Sequence, residues 1–418
     1  MKSISKITTI LGLCLSILGT SDAYAHDTSR WTPGQKRCAE SFAGSMLAAG
    51  IGDALGRVTE FIDSTEAIFK KYPTGVRTYS DFKPQDWDRV PLFLKHNKIA
   101  PYTDDTGMAR LVMKALIKSK ECGWDLNQTM TALAENFVND SYCEVYGWNA
   151  RFRAPGRACC AGTKELEKRL AAKKYANLSS TWWDVEAKDA GGCGSVMRAH
   201  PFGLVFCNDP EKAALWAAEH SKLTHGHPLA LAACAAMATG VAYANQGETP
   251  EYIVDKMIAA ARVYDKETAD KIVKAREYAQ QAKKLRAQSN SLFEAYKNPA
   301  FRKLNDHVFT TFPGWAAHDA IAATVYAFLL SPDNCMEAIY LGVHTPGDSD
   351  SIASMVGALV GARLGETALP AELVAKLESS ADLKTDAVRA INQFCFVAAS
   401  DDFFKKVLPE QVALMNGD

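Results

Sequence analysis

Two acidic clusters, far apart in the chain, contain the residues of this sequence that are best suited to chemistry. The first is Thr103-Asp104-Asp105-Thr106 and the second is Gly347-Asp348-Ser349-Asp350-Ser351. Each places two carboxylates beside hydroxyl groups, and these oxygens are the ligands that hard cations such as Mg²⁺, Mn²⁺ or Ca²⁺ prefer. If folding brings the clusters together, four carboxylates share one pocket, and only metal or shared protons make that tolerable.

Each cluster also has a purely structural interpretation. Thr103 is a good N-cap, and Asp104 and Asp105 fall in the first turn of the apolar segment that follows, where carboxylates suit the helix dipole. In the second cluster, Asp348 and Ser351 are three residues apart and would share a helical face. Taken one at a time, the clusters leave helix capping and metal binding open as alternatives.

Further segments could contact a ligand. Residues 191–198 (GGCGSVMR) form a glycine-dense loop whose backbone N–H groups could approach phosphates, although the loop matches neither the P-loop nor the dinucleotide fingerprint. Residues 224–228 (THGHP) open an alanine-rich helix, as a ligand-contacting loop or as a buried turn with two hydrogen-bonded histidines. Arg198 suits either an ion pair or a diphosphate contact. Glu60 ends a helix rich in small residues, where an acidic side chain is usually solvated.

The segments that must position these residues are predominantly helical. Apolar residues recur at helical spacing in several stretches, for example 213–220, 229–244 and 321–330. Long alternating patterns typical of β-strands are absent. Glycine and proline are expected to interrupt the helices near residues 72–75, 154–156, 313–314 and 345–347. The pattern therefore predicts a mostly helical protein.

Small residues repeat at four-residue spacing in two of these helices. The first repeat comprises Gly44, Ala48, Gly52 and Gly56, and the second comprises Gly357, Gly361 and Gly365. Small residues on one face of a helix permit close approach of another helix, although each interior glycine costs about 1 kcal/mol relative to alanine. The repeats predict tightly packed, buried helices.

Composition and charge exclude some classes of function. Hydrophobic residues make up 48% of the 418-residue chain and charged residues 23%, which is typical of a globular protein. The formal net charge is −1, so the protein has no strong positive field suited to nucleic acid. We therefore expect no nucleic-acid partner.

The N-terminal 25 residues have the pattern of a signal peptide. Lys2 and Lys6 provide the positive n-region, residues 7–20 form a short apolar region, and Ala23-Tyr24-Ala25 fits a cleavage site. The apolar run is too short to cross a membrane as a helix, and we expect no membrane span later in the chain. The pattern predicts a periplasmic or secreted protein, cleaved at about Ala25, whose mature domain comprises residues 26–418.

A segment at about 265–308 differs from the rest in composition. It is rich in Lys, Glu, Gln and Asn and has helical periodicity around residues 271–287. The segment is interpreted as an insertion that forms a solvated helical hairpin, or alternatively a partner-binding or lid element.

Taken in order, these motifs resemble the signature set of the ADP-ribosylglycohydrolases of the dinitrogenase-reductase-activating type. The set comprises Gly52-Asp53-Ala54-Leu55-Gly56 with Glu60-Phe61, the two acidic clusters, the glycine-dense loop and the Thr-His-x-His-Pro turn. The resemblance spans roughly residues 42–369. It departs from the family pattern at Ser351, where relatives usually carry Thr, and at Cys193, where they usually carry Asn.

The resemblance implies an all-α fold, a single compact domain of orthogonally packed helices with an inserted charged segment. It also implies a centre of two divalent cations, Mg²⁺ or Mn²⁺, across which ADP-ribose binds. By motif position, the implied metal ligands are Thr103, Asp104, Asp105, Asp348, Asp350 and Ser351. The implied substrate-binding residues are Gly194, Ser195, Met197 and His225. Glu60 and Asp348 are the candidate catalytic carboxylates.

The function that the resemblance implies is hydrolysis of the bond between ADP-ribose and a protein side chain, with the N-glycosidic bond to arginine as the first expectation. Alternatives are another ADP-ribose conjugate (O-linked serine, a nucleic-acid base or a small ester) and a non-catalytic protein that binds ADP-ribose or a toxin. Residues of the pocket wall decide between leaving groups. Trp148, Phe152, Trp182 and Trp183 are candidates for that wall or for ordinary core packing.

Overall fold

The predicted all-α fold is confirmed by the computed structural model, which describes residues 33–141, 147–172, 179–287, 289 and 291–394. Within these ranges the chain forms eighteen α-helices and no β-strand. The helices are α1 (Pro33–Gly56), α2 (Thr65–Lys71), α3 (Leu92–Asn97), α4 (Asp104–Cys122), α5 (Leu126–Ser141), α6 (Arg157–Ala172), α7 (His200–Val205), α8 (Pro210–Ser221), α9 (Pro228–Asn245), α10 (Pro250–Tyr264), α11 (Lys266–Arg286), α12 (Leu292–Ala295), α13 (Pro299–Thr311), α14 (Ala317–Leu330), α15 (Cys335–Val343), α16 (Ser349–Leu364), α17 (Ala371–Lys376) and α18 (Ser380–Phe394). The predicted signal peptide lies outside the described residues.

The helices predicted from apolar periodicity are present as α8, α9 and α14, and the predicted glycine and proline breaks fall between helices. Helix α9 is long and apolar enough to cross a membrane by length and composition, but 72% of it is buried inside the protein. Burial on all sides explains why its sequence is apolar around its whole circumference. It is therefore a core helix.

Helices α1 and α16 form the central contact of the fold and are buried and tightly packed as predicted, and the structure shows in addition that their glycine repeats face each other. A Cβ atom added at Gly52 would overlap the carbonyl oxygen of Ala353, and one added at Gly56 would lie 2.5 Å from Cα of Asp350. The two backbones therefore approach without side chains between them. This contact brings the C-terminal end of α1 against the N-terminal end of α16, where the second acidic cluster lies.

Replacing Gly52 by Ala is expected to lower the free energy of unfolding by about 2–3 kcal/mol, because the added methyl group forces two packed backbones apart. Denaturant unfolding monitored by circular dichroism measures the change. Gly50→Ala on the same helix is the matched control, since its Cβ would meet only the flexible side-chain ends of Leu377 and Leu383. Equal stability of the two variants would contradict the proposed role of this contact.

The charged segment at 265–308 is helical, as predicted, and includes helices α11, α12 and most of α13. Only one side of α11 is solvated, because Ile272, Ala275 and Ala279 are buried and α11 packs against α14. Lys271 also forms an ion pair with Asp319 of α14 at 2.6 Å. The interpretation as a solvated hairpin therefore applies only to the polar side of α11, whose apolar side belongs to the helical core.

Candidate active site

The two acidic clusters meet in the folded protein. They line one cavity of about 500 Å³, together with the turn that follows α1 and the loops that precede α6 and α14. The carboxylates of the cavity are Glu60, Asp104, Asp105, Asp348 and Asp350. All except Glu60 are buried, and Glu60 is partly exposed. The four carboxylates of the two clusters therefore share one pocket, and Glu60 adds a fifth.

A buried carboxylate on α1, Asp53, positions the first cluster. Its two oxygens accept hydrogen bonds from the backbone N–H of Thr103 at 2.8 Å and of Thr106 at 3.0 Å, and from the Thr106 hydroxyl at 2.6 Å. Thr103 caps α4, because its hydroxyl oxygen accepts a hydrogen bond from the N–H of Asp105. Sequence reasoning placed Asp53 in a motif without giving it this role. The available signal was a carboxylate inside a helical repeat of small residues, between Gly52 and Gly56.

A tight turn positions the second cluster. Gly347 has a φ of +123°, which L-residues rarely adopt. The N–H of Asp348 donates to the carbonyl oxygen of Pro313 at 2.9 Å, and the hydroxyl of Ser349 donates to the carbonyl oxygen of Gly56 at 2.9 Å. The cluster is thus attached both to the loop before α14 and to the end of α1. Asp348 and Asp350 therefore lie next to Glu60.

Burial raises the pKa of every carboxyl group in the cavity, and repulsion between carboxylates raises it further in all of them except Asp350. Burial is the largest cause in each case, and the charge of Asp350 is the next largest for Glu60, Asp104, Asp105 and Asp348. Asp350 itself has a raised pKa because of burial, and hydrogen bonds with Asp348 and Glu60 oppose the rise. Without a bound cation the group therefore holds protons that isolated carboxyl groups would release.

The donor set fits a divalent cation. Ligand oxygens of Glu60, Asp348 and Asp350 lie within 4.8 Å of one another. Across the cavity, the buried Oδ1 atom of Asp105 has no hydrogen-bond partner among the described residues. A buried, unpaired carboxylate oxygen in a group of like charges is costly unless a cation satisfies it. The geometry therefore accommodates a hard metal ion between the two clusters.

The stabilisation that Mg²⁺ gives the protein is expected to increase from pH 5.5 to pH 8. Burial and the charge of Asp350 raise the pKa of Asp53 to about 7, whereas an unfolded Asp has a pKa near ~3.9. The folded, metal-free state therefore holds a proton that favours folding at low pH, and this contribution is lost as the pH rises through 7. Cation binding opposes that loss and competes with the protons.

Melting temperatures measured with Mg²⁺ and with chelator, at several pH values, check this expectation. The difference between the two melting temperatures is the quantity of interest, because buried histidines contribute equally to both and cancel. A difference that stays constant from pH 5.5 to pH 8 would contradict the assignment of raised carboxyl pKa values to the metal site.

The remaining predicted metal ligands, Ser351 and Thr103, also belong to the two clusters, but Ser351 lines the cavity and Thr103 does not. Ser351 lines the cavity, and its hydroxyl lies 3.8 Å from Sδ of Met197, which also lines it. Thr103 is buried behind the first cluster, where its hydroxyl donates to Oδ2 of Asp105 at 3.1 Å. The Thr103 hydroxyl is therefore connected to the cavity by its hydrogen bond to Asp105, which lines it.

Three of the four predicted substrate-binding residues, Gly194, Met197 and His225, line the cavity. Ser195 does not, because its buried hydroxyl accepts hydrogen bonds from Ser221 at 2.8 Å and from Cys234 at 3.4 Å. The second histidine of the turn, His227, caps α9 by accepting a hydrogen bond from the N–H of Leu229. The two histidines of this turn thus have different environments.

Of the two interpretations left open for the aromatic candidates, core packing holds for the three tryptophans. Trp148, Trp182 and Trp183 are buried in the core and do not line the cavity, and Phe152 also lies outside it. Arg198 forms no ion pair within the described ranges and does not line the cavity either. Arg198 is instead buried in the protein interior.

The aromatic residues of the cavity are instead Phe61 and Trp315, which sequence reasoning did not select. Their rings are stacked with centroids 5.3 Å apart, and the side chains are 64% and 45% exposed at the cavity edge. Phe61 has a φ of +63°, an uncommon backbone conformation for a bulky residue. Its N–H donates to the carbonyl oxygen of Gly347 at 3.1 Å, which holds Phe61 beside the second cluster.

Comparison with known proteins identifies relatives over most of the chain. A family model described as ADP-ribosylglycohydrolase matches residues 34–402. The chain is 23% identical over 351 residues to the ADP-ribosylhydrolase ARH3 of Bos taurus, covering 81% of this chain and 88% of that protein. It is 24% identical over 337 residues to the ADP-ribosyl-[dinitrogen reductase] glycohydrolase of Rhodospirillum rubrum, covering 80% and 89%.

A solved structure has the same fold. The chain of an "ADP-ribosylglycohydrolase-related protein complex" superposes with a TM-score of 0.54 at 20% sequence identity. The match covers 86% of this chain and 99% of that chain. At this identity the comparison supports the all-α architecture alone.

Proposed function

Because the chain belongs to the ADP-ribosylglycohydrolase family and is a hydrolase, we propose that it removes ADP-ribose from modified arginine side chains of proteins with the help of two divalent cations. The observation that carries this proposal is the convergence of Glu60, Asp104, Asp105, Asp348 and Asp350 on one cavity. Five carboxylates in such a space favour hard cations as partners.

The residues that would hold the cations come from both clusters: Thr103, Asp104, Asp105, Asp348, Asp350 and Ser351. Two divalent cations bound there would neutralise the clustered charge, hold the vicinal hydroxyl groups of the ribose and polarise the attacking water. Both Mg²⁺ and Mn²⁺ accept a set of oxygen ligands such as this one.

A carboxylate of the protein accepts the proton of the attacking water. Cleavage of the N-glycosidic bond passes through an oxocarbenium-like state at the anomeric carbon, so water must lose a proton as it adds. Glu60 is the better acceptor, because it is partly exposed at the cavity edge whereas Asp348 is buried. Burial and the neighbouring carboxylates raise the pKa of Glu60, so its ionised form is a stronger base than an ordinary carboxylate.

Another part of the cavity lining suits the diphosphate of ADP-ribose. The first turn of α6 lines it, and the N–H groups of a helix N-terminus favour phosphate. Arg157, the first residue of α6, is exposed there and carries a positive charge. Gly194 faces the same space and leaves its backbone accessible.

The aromatic pair supports arginine as the leaving group. Phe61 follows Glu60 directly and stacks on Trp315 at the cavity edge, where the side chain that leaves the ribose must lie. Exposed aromatic faces attract a guanidinium group by cation–π contact and stacking. A serine hydroxyl gains nothing comparable from these rings.

Matched substrates test the linkage. A peptide carrying ADP-ribosylarginine and the same peptide carrying ADP-ribosylserine are compared by kcat/KM with Mg²⁺ present. We expect a preference for arginine of about tenfold or more, and a Phe61→Ala variant that loses the preference while retaining activity, since one cation–π contact contributes ~1–2 kcal/mol. A preference for serine, or an arginine preference that survives loss of Phe61, would contradict the assigned linkage or the assigned role.

A further inference from the structure

Arg198 is an unusual buried cation. Its side chain is fully buried, and within the described part of the chain no carboxylate forms an ion pair with it. Its neighbours are instead Sδ of Met108 at 3.2 Å, Sγ of Cys159 at 3.5 Å and the ring of Phe137 at 4.7 Å. Burial of an unpaired charge is costly, so a functional explanation is warranted.

The one short hydrogen bond that Arg198 makes is to Thr224. Nη2 of Arg198 donates to Oγ1 of Thr224 at 2.6 Å, and this oxygen lies 2.7 Å from Nδ1 of His225. A guanidinium group can only donate, so Oγ1 is the acceptor in the first contact. The hydroxyl hydrogen of Thr224 is then available for a second acceptor.

That hydrogen determines the state of the imidazole. Among the described residues, Thr224 Oγ1 has no acceptor within reach other than Nδ1 of His225. The hydroxyl therefore donates to Nδ1, and a nitrogen that accepts a hydrogen bond carries no hydrogen. In the neutral ring the hydrogen must then lie on Nε2.

The ring is also kept neutral. Burial, followed by the nearby charge of Arg198, lowers the pKa of His225 to about 3. At neutral pH an imidazolium is thus excluded. The charge of Arg198 disfavours the protonated ring, and so does the hydrogen bond that Nδ1 accepts from Thr224.

Nε2 of His225 faces the cavity. It lies 3.2 Å from where a Cβ atom of Gly194 would be and 3.6 Å from where one of Gly192 would be, and all three residues line the cavity. The absence of side chains at both glycines leaves the Nε2 edge of the ring accessible from the cavity. A hydrogen on Nε2 is therefore presented to whatever occupies that space.

We propose that Arg198 and Thr224 are positioning residues that hold His225 as the neutral Nε2–H tautomer, so that the ring donates a hydrogen bond to an anionic oxygen of the bound ligand. This inference rests on the proposed function for the identity of that ligand, the diphosphate of ADP-ribose. The tautomer assignment is independent of it. Arg198 serves as the fixed donor that forces the direction of both hydrogen bonds.

Histidine tautomers are measured directly by long-range ¹H–¹⁵N correlation spectra of ¹⁵N-labelled protein at pH 7, with His225 assigned by comparison with His225→Gln. We expect the Nε2–H pattern for His225 in the wild type. Thr224→Val keeps the shape that packs on Gly162 but removes the hydroxyl, and we expect it to lose the pure Nε2–H pattern. Thr224→Ser keeps the hydroxyl and should keep the pattern.

Calorimetric titration with ADP-ribose in the presence of Mg²⁺ gives the second measurement. Thr224→Val should bind about tenfold more weakly than the wild type, the size expected for one hydrogen bond to a charged group, and Thr224→Ser should bind as the wild type does. A hydrogen on Nδ1 in the wild type, or unchanged binding and tautomer in Thr224→Val, would overturn the inference. An Nε2–H pattern in a wild type that does not bind ADP-ribose would contradict the proposed function and leave the positioning role supported.

Discussion

Replacing Asp350 by Asn is expected to lower kcat/KM by at least about a thousandfold, which corresponds to ~4 kcal/mol of lost transition-state stabilisation. Asp350 lies at the centre of the acidic group, since its charge is a cause of the raised pKa of Glu60, Asp104 and Asp105. The variant lacks one anionic ligand of the proposed metal site. The amide keeps the oxygen that accepts the hydrogen bond from the N–H of Ser351 at 2.9 Å, so the fold is retained.

The same variant has a second, opposite effect on stability. Removal of a buried charge from among like charges should raise the melting temperature of the metal-free protein, whereas the added stabilisation by Mg²⁺ should fall. Melting with Mg²⁺ and with chelator measures both changes, and steady-state release of ADP-ribose measures the loss of activity. A metal site elsewhere would leave the Mg²⁺ stabilisation unchanged.

Asp333→Asn is the matched control for Asp350→Asn. Asp333 makes an ion pair with Arg363 at 3.1 Å, but its side chain is 74% exposed, and such exposed pairs contribute little to stability. The control should retain activity and the full effect of Mg²⁺. Equal loss in both variants would show that the phenotype does not come from the metal site.

Glu60→Gln is expected to lower kcat by about 10²–10⁴-fold, the contribution typical of a positioned proton acceptor. The amide is close to the carboxylate in size but cannot take the proton of the attacking water. Binding of ADP-ribose should change little, because Glu60 lies at the leaving-group end of the cavity beside Phe61. Single-turnover kinetics and calorimetric binding, run on the same preparation, separate the two quantities.

An exposed carboxylate, Glu66 of α2, provides the control for this variant, and Glu66→Gln should be as active as the wild type. Full activity of Glu60→Gln would rule out its role as proton acceptor. Loss of Mg²⁺ binding together with activity in Glu60→Gln would assign the residue to the cation site, whose donor oxygens it neighbours, instead of to proton transfer.

The parts of the fold that depend on local pattern could be predicted from the sequence. Apolar periodicity identified α8, α9 and α14, because a buried helical face is recorded in consecutive turns of the same segment. The glycine repeats of α1 and α16 identified two helices that pack closely, although nothing in either repeat alone names the other as its partner. The convergence of the two acidic clusters followed from the family resemblance rather than from the residues themselves.

Other features of the site depend on contacts between distant residues and could not be predicted. The role of Asp53 requires the end of α1 to lie against the first turn of α4, and a helical pattern does not contain that information. Large aromatic residues such as Trp148 and Trp183 are common in pocket walls, but here both are buried in the core. Phe61 faces the cavity because its φ is positive, a conformation that its residue type disfavours.

The contacts of Arg198 could not be predicted from the sequence either. Its charge suggested an ion pair or a phosphate contact, which are the usual partners of a guanidinium group. The structure surrounds it instead with sulfur atoms, an aromatic ring and the hydroxyl of Thr224. Charge alone predicts that a partner exists, whereas packing determines which partner is within reach.

The most direct test of the account is a time course of free ADP-ribose release from an ADP-ribosylarginine protein, with Mg²⁺ or Mn²⁺ present or chelated. We expect release with either cation, loss of release on chelation and recovery when the cation is restored. Release that continues unchanged in chelator would contradict the metal centre formed by the two acidic clusters. No release from this substrate with the cations present would contradict the proposed arginine linkage.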